Sequence, residues 1–322
     1  MVDNKQKSVV MQKLGFIFPG QGSQKIGMLK NLILDSNVVQ DTFSEASEVL
    51  GKDLWEIVQL DTASNLDKTE ITQPALLTAS TAIWRVWNDK NGPRPSVVVG
   101  HSLGEYSALV CAGVIPFQDA VNLVFRRGQY MQLAVSGGIG KMAAIVGLGT
   151  QKVEEICKEA EETDVLSAAN FNTPEQTVIA GNVDAVDRAI ALSKKEGAKR
   201  ALPLNVSIPA HCDLMKPAAE NLEKELSKIK FNRPKIAVIQ NVDALINDDP
   251  EKIKRNLVRQ LYSPVLWVNC VKLINKKQIK NLVECGPGKV LSGLIKRIEP
   301  KITCHGSDDA ISLAKAIEEV SV

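Results

Sequence analysis

The sequence predicts an α/β protein in which a parallel sheet covered by helices is interrupted by a smaller βαββαβ unit. Two observations in the 322-residue chain carry this expectation. Short apolar runs bounded by Gly or Pro alternate with helix-length amphipathic segments, which is the rhythm of strands joined by crossover helices. That rhythm changes after Ser136-Gly137-Gly138-Ile139-Gly140 and resumes near Cys212.

Leu14-Gly15-Phe16-Ile17-Phe18 is a short apolar run stopped by Pro19-Gly20, hence a buried strand ending in a turn. A polar loop, Gln21-Gly22-Ser23-Gln24, leads into helix-like sequence to Leu60. Pro74 is expected in the first turn of a helix over Ala75 to Asn88. Ser96-Val97-Val98-Val99-Gly100 has the β-branched core of a central strand, and helices follow over 103–111 and 117–133. Strands over 142–146, 165–170, 176–180 and 200–204, with helices over 151–162 and 183–196, complete a ferredoxin-like βαββαβ order spanning about 65 residues. Beyond it, helices are expected over 212–228, 250–261, 265–275 and 289–298, with strands over 236–240 and 281–284.

Composition narrows the function. Hydrophobic residues at 44% and charged residues at 24% suit a globular chain with a sizeable core. A formal charge of +2 and only 4% aromatics argue against nucleic acid as a partner. No apolar run approaches the roughly 18 residues a membrane span needs, and Met1 to Lys13 lacks the apolar core of a signal peptide. The six cysteines form no CxxC pair and the three histidines lie far apart, so no metal site is expected. A reducing, cytoplasmic location follows as the expectation.

The sharpest chemical signal is Gly100-His101-Ser102-Leu103-Gly104, a G-x-S-x-G between a predicted strand and a predicted helix. Its glycines permit a tight turn that exposes the Ser102 hydroxyl, while the helix N-terminus aims unpaired N–H groups at developing negative charge. A serine nucleophile needs a base, and only His101, His211 and His305 are available. His101 adjoins the nucleophile, so its ring is expected to serve the loop or substrate. His305 is assigned to packing or surface. His211 sits in a loop that enters a helix, where catalytic residues concentrate. No carboxylate between Ser102 and His211 stands out as a third member, and Gln260 is a candidate to supply a carbonyl that fixes the imidazole. In Arg126-Arg127-Gly128 an arginine can hold a carboxylate through paired N–H bonds, although a surface ion pair is the plainer alternative. The glycine-rich segments 137–140 and 285–289 lack Walker spacing, which excludes nucleotide hydrolysis.

Phe18-Pro19-Gly20-Gln21-Gly22-Ser23-Gln24, Gly100 through Tyr106, Arg127-Gly128 and Ile208-Pro209-Ala210-His211 resemble, in order, the motifs of malonyl-CoA:acyl carrier protein transacylases. Thr72-Gln73-Pro74-Ala75, Asn170-Phe171-Asn172 and Gly286-Pro287-Gly288-Lys289 are similar to that family as well, so the likeness spans nearly the whole chain. The resemblance implies an α/β-hydrolase-like domain over 13–137 and 207–322 and a ferredoxin-like subdomain over 138–206, while residues 1–12 read as a flexible lead-in. It implies transfer of malonyl from malonyl-CoA to acyl carrier protein in fatty acid synthesis, by a monomer needing no cofactor. Ser102 would be the nucleophile, His211 its base, and the Gln21 and Leu103 N–H groups the oxyanion hole. Arg127 would bind the malonyl carboxylate with His101 nearby, and Gln260 and Asn170 would support the site. Ala210 stands where many bacterial members carry serine, and the segment before Leu14 is longer than usual. Basic clusters at Lys194, Lys195, Lys199 and Arg200, or at Lys289, Lys296 and Arg297, would suit an acidic carrier.

Rival readings are a thioesterase, a polyketide-synthase acyltransferase and a catalytically dead binding protein. The first gives Arg127 no purpose, and the last predicts loss of Ser102 or His211.

Overall fold

A computed structural model describes residues 13–135, 138–206 and 208–321. The lead-in 1–12 and the expected boundary residues 137 and Ser207 lie outside the described residues. The elements run β1 (Leu14–Phe18), α1 (Asn37–Leu50), α2 (Leu54–Leu60), α3 (Thr69–Asp89), β2 (Val97–Gly100), α4 (Gly104–Cys111) and α5 (Phe117–Ala134). They continue with β3 (Gly140–Val146), α6 (Thr150–Ala160), β4 (Leu166–Thr173), β5 (Gln176–Asn182), α7 (Val183–Lys195) and β6 (Arg200–Pro203). The last stretch holds α8 (Lys216–Lys228), β7 (Ala237–Ile239), β8 (Ile246–Asn247), α9 (Pro250–Gln260), α10 (Trp267–Lys276), β9 (Asn281–Glu284), α11 (Val290–Ile298), β10 (Thr303–Gly306) and α12 (Ala310–Val320).

These strands make two sheets. One has the order β10-β9-β1-β2-β7-β8, with all neighbours parallel except the short edge strand β8. The other is antiparallel with the order β4-β5-β3-β6. Alternation along the central strands divides the larger sheet's apolar residues between two cores. Phe16, Phe18 and Val98 belong to one, and Ile17, Val97 and Val99 to the other. Helices cover both faces, as a parallel sheet requires.

The sheets are stitched together at one point. Asn170 on β4 forms a parallel bridge with Val265, supported by Phe171 N–H to Val265 O at 3.0 Å and Val265 N–H to Ala169 O at 2.9 Å. Side-chain polarity alone does not announce this contact, because it is made by backbone.

Three local expectations are corrected. Residues 26–35 form turns, with Leu29 at φ 61°, and regular helix begins only at Asn37, where the Ser36 side chain accepts the Val38 N–H. Pro74 lies inside α3, which starts at Thr69. The carbonyl that Pro74 leaves without its helical donor is that of Glu70, still in the first turn, where the chain adapts more readily than mid-helix. Buried packing holds that turn: a side chain at Gly128 of α5 would strike the Glu70 backbone. Finally, Asn172 and Thr173 belong to β4 and not to a loop before β5. The two-residue strand β8 was not expected at all. No described helix is long and apolar enough to cross a membrane.

Candidate active site

The site forms at the carboxyl ends of β1 and β2. Phe18 is in register with Gly100, and the His101 N–H donates to Phe18 O at 3.0 Å, so the Pro19–Gln21 loop lies beside the elbow. A Cβ at Gly100 would overlap the Gly104 carbonyl, and one at Gly104 would overlap the Phe18 carbonyl. Glycine at both positions is therefore demanded by backbone approach. Between them Ser102 takes a left-handed conformation, φ 51°, a strained setting for a residue with a side chain.

Ser102 Oγ lies 2.8 Å from His211 Nε2, and His211 Nδ1 lies 2.7 Å from the Gln260 backbone carbonyl. A carbonyl can only accept, so it fixes the proton on Nδ1 and leaves Nε2 as the acceptor facing serine. Burial, then the charge of Arg127, pushes the imidazole down to about 3, which keeps it neutral. His211 is only 3% exposed and also left-handed, with φ 67°. Its N–H is held by Leu261 O at 2.9 Å.

Arg127 of α5 is 2% exposed and lies over the Tyr106 ring, 5.4 Å from its centroid. Its guanidinium donates to Gln73 Oε1 at 2.7 Å, Gln260 Oε1 at 3.2 Å and Ser102 Oγ at 3.5 Å. All three acceptors are neutral. Burial lowers its pKa, but an arginine stays protonated in a protein. Among the described residues Arg127 has no carboxylate within ion-pair distance, and its Nε has no partner. A buried cation held only by neutral oxygens beside a serine is set up for an anionic ligand.

Two relays position these groups. Gln73 Nε2 donates to Thr69 Oγ1 at 2.9 Å, and Thr69 Oγ1 donates to Gln21 Oε1 at 3.1 Å, linking Arg127 to the loop beside the elbow. Asn241 Oδ1 accepts the Ser102 N–H at 2.7 Å, while its Nδ2 donates to Gly100 O at 2.7 Å. Leu103 is buried at the start of α4. Among the described residues neither the Gln21 nor the Leu103 backbone N–H is engaged in a hydrogen bond.

His101 is directed away from Ser102: its Nε2 lies 2.8 Å from Asn172 Oδ1 and its ring 5.4 Å from that of Trp267. Burial lowers its pKa, so it is a neutral group here. Asn172, not Asn170, is thus the β4 asparagine whose side chain bonds to the elbow; Asn170 contributes backbone to the bridge with Val265. His305 sits apart, with its ring nitrogens near Glu319 Oε2 at 2.9 Å and Asn281 Oδ1 at 3.2 Å. Sequence reasoning assigned no role to Glu105, Asn241 or Thr69, whose parts depend on contacts with distant segments. The described cysteines are free, and no group of three metal-ligating side chains occurs among the described residues.

Known proteins are similar to this chain over nearly its whole length. Residues 15–297 match the acyl transferase domain family. The malonyl CoA-acyl carrier protein transacylase of Escherichia coli K12 is 52% identical over 308 residues, 96% of this chain and 100% of that protein. The chain belongs to the malonyl-CoA:acyl carrier protein transacylase family. The Staphylococcus aureus (strain MRSA252) transacylase is 43% identical over 289 residues, covering 89% of this chain and 93% of its own length. The Coxiella burnetii transacylase structure superposes with a TM-score of 0.96 at 47% identity, covering 98% of this chain and 100% of that one. A malonyl-transacylase solved in complex with a type II PKS acyl-carrier protein gives 0.94 at 51% identity, covering 95% of this chain and 99% of that one.

Proposed function

We infer that this chain is an acyltransferase that moves the malonyl group of malonyl-CoA to the phosphopantetheine thiol of holo-acyl carrier protein, supplying malonyl carriers for fatty acid synthesis. The single observation that carries the choice of acyl group is Arg127, a buried guanidinium without a carboxylate partner, 3.5 Å from Ser102 Oγ.

The reaction is a ping-pong transfer. Ser102 Oγ attacks the thioester carbon while His211 Nε2 takes its proton. The carbonyl oxygen becomes an oxyanion, held by the Gln21 and Leu103 N–H groups. The C–S bond then breaks, and the proton passes from Nε2 to the coenzyme A sulfur. In the second half the carrier thiol gives its proton to His211 and its sulfur attacks the malonyl-serine ester; the bond to Ser102 Oγ breaks, and Nε2 returns the proton to that oxygen. The substrate carboxylate balances the charge of Arg127, which is one of the causes depressing His211, so malonyl binding strengthens the base. His101 serves the elbow loop as a neutral group bonded to Asn172. Gln260 supplies the carbonyl for His211, and Asn170 supports the site through backbone. Every proton and charge in the scheme is handled by side chains and backbone N–H groups, so the reaction calls on no metal or redox cofactor.

The finer architecture belongs to the same reading: an α/β-hydrolase-like domain over 13–137 and 207–322, with a ferredoxin-like subdomain over 138–206 and a lead-in over 1–12. The element order β3-α6-β4-β5-α7-β6 and the sheet order β4-β5-β3-β6 support it. The enzyme is assigned as a cytoplasmic monomer.

One observation favours a polyketide carrier as acceptor, the relative solved with a type II PKS carrier. Intact-mass analysis after brief exposure to malonyl-CoA tests the whole scheme. A malonyl adduct absent from Ser102→Ala and passed to added fatty-acid holo-carrier is expected. Hydrolysis to free malonate with no transfer would overturn it, and transfer only to a polyketide carrier would reassign the acceptor.

A further inference from the structure

We propose that Glu105 is a positioning residue of the transfer reaction, whose buried carboxylate orients the Gln260 amide and the Asn241 backbone and thereby aligns Arg127, Ser102 and His211. This rests on the reading of Ser102 as the residue that is malonylated.

Glu105 lies in the first turn of α4 and is 1% exposed. Its Oε2 accepts the Asn241 N–H at 2.8 Å and Gln260 Nε2 at 3.0 Å, while Oε1 accepts Gln240 Nε2 at 3.0 Å. No cation touches it among the described residues. A buried carboxylate bound only by neutral donors contributes little to stability by itself, so its role is sought in what those donors do next.

Each leads to the reacting groups. The Gln260 side chain stands between Glu105, which only accepts, and Arg127, which only donates. That pair of neighbours permits one orientation of the amide: Nε2 toward Glu105 and the Ser102 carbonyl, Oε1 toward Arg127. The Gln260 backbone carbonyl is the acceptor for His211 Nδ1. Asn241, held by its N–H, places its side chain on the Ser102 N–H and the Gly100 carbonyl, the two groups that flank the strained elbow. Glu105 therefore joins the ends of β2, β7 and α9, the three segments that carry Ser102, Asn241 and Gln260.

A neutral amide cannot replace it. If the amide nitrogen of Glu105→Gln faced Gln240, it would meet Nε2, whose opposite end is committed to Asn247 and Asn256. If it faced Gln260, it would force that amide to turn its nitrogen toward Arg127. Either placement leaves N–H groups opposed among buried side chains.

The carboxyl is also poised to titrate. Burial, opposed by its hydrogen bonds to Asn241, Gln240 and Gln260, pushes it up to about 7, with Asp243 in the turn after β7 raising it further. The other ionisable groups that feel its charge are Arg127 on α5, Tyr106 on α4 and Cys270 on α10. Protonation converts one acceptor oxygen to a donor and disturbs the same contacts.

The test is the rate of Ser102 malonylation, followed by rapid quench and intact mass on the full chain, from about pH 5.5 to about 8.5 at several malonyl-CoA concentrations. In wild type the saturated rate should fall as pH drops through a limb near 7, well above the value to which His211 is depressed. Glu105→Gln should lower that rate roughly tenfold to a hundredfold, raise KM by a smaller factor, and abolish the limb. Gln240→Met removes one donor from the carboxylate and leaves Ser102, His211, Arg127 and Gln260 in place, so it should move the limb to higher pH. A wild-type profile flat across the range, a Glu105→Gln profile matching wild type, or an unmoved limb in Gln240→Met would each overturn the proposal. The shift of the limb in Gln240→Met decides it even if Glu105→Gln does not fold. A wild type that forms no malonyl adduct would instead remove the reading of Ser102.

Discussion

Ser102 and His211, 109 positions apart, face each other at 2.8 Å with both backbones in the left-handed region, φ 51° and φ 67°. Neither is glycine, and each strained turn is over-determined by neighbours: Asn241 on Ser102, Leu261 on His211. The strain is held on both halves of the reacting pair, so the hydroxyl and imidazole are aligned before substrate arrives.

That pairing predicts equal severity for two single substitutions. Ser102→Ala and His211→Ala should each reduce malonyl transfer by about a thousandfold or more, and combining them should add little. Steady-state assays of the two variants and the double variant check this; losses that multiply would show that the two residues act independently.

Acyl selectivity should reside in Arg127. Truncation to Ala removes charge-assisted hydrogen bonds to the malonyl carboxylate and should cost about tenfold to a hundredfold in kcat/KM for malonyl-CoA. Acetyl-CoA has no carboxylate, so its transfer should be much less affected. Competition between the two thioesters reads the ratio directly, and equal losses would refute the assignment.

The elbow should not tolerate a methyl group. Gly100→Ala places a Cβ against the Gly104 backbone, where no flexible side chain can yield. Overpacking of this kind costs roughly 1–3 kcal/mol or more, and a lowered Tm together with loss of Ser102 labelling by a serine-directed phosphonate is expected. Near-normal labelling would mean that the turn relaxes.

Stability against pH should show two opposing contributions. His211 has a folded value of about 3, below its ordinary 6.5, so its contribution is present above 6.5 and declines as pH falls. Glu105 has a folded value of about 7, above its ordinary 4.5, so its contribution is full below 4.5 and is lost as pH rises toward 7. Between 4.5 and 6.5 the two slopes oppose each other. Glu105→Gln removes one of them, and its Tm should fall more steeply than wild type on acidification through that window. Parallel curves would contradict the opposing slopes.

Much of this site is legible in the sequence because its motifs are local. Gly100 through Gly104 fixes a strand-to-helix turn by steric demand alone, and the scarcity of histidine leaves few bases to choose from. The absence of a suitable carboxylate likewise directs attention to a carbonyl such as that of Gln260. What the sequence hides is held together by distance. Gln73 and Arg127 are 54 positions apart, Glu105 and Gln260 155, and neither pairing has a periodic signature. Asn170 and Asn172 sit in one short motif, yet only backbone pairing decides which of them presents its side chain to His101. Pro74 misleads for a related reason: proline marks helix starts in isolation, whereas α3 is extended to Thr69 by burial against α5.

The bridge between Asn170 and Val265 bears on protein engineering. Val265 lies five positions after Gln260, whose carbonyl sets the tautomer of His211. The antiparallel sheet is therefore not a cassette that can be exchanged freely between relatives. A graft of 138–206 that altered the edge at Ala169–Phe171 would tug on the segment that aligns the base. Chimeras that carry 260–266 along with the insert should keep their turnover, and those that split the two should lose it while still folding.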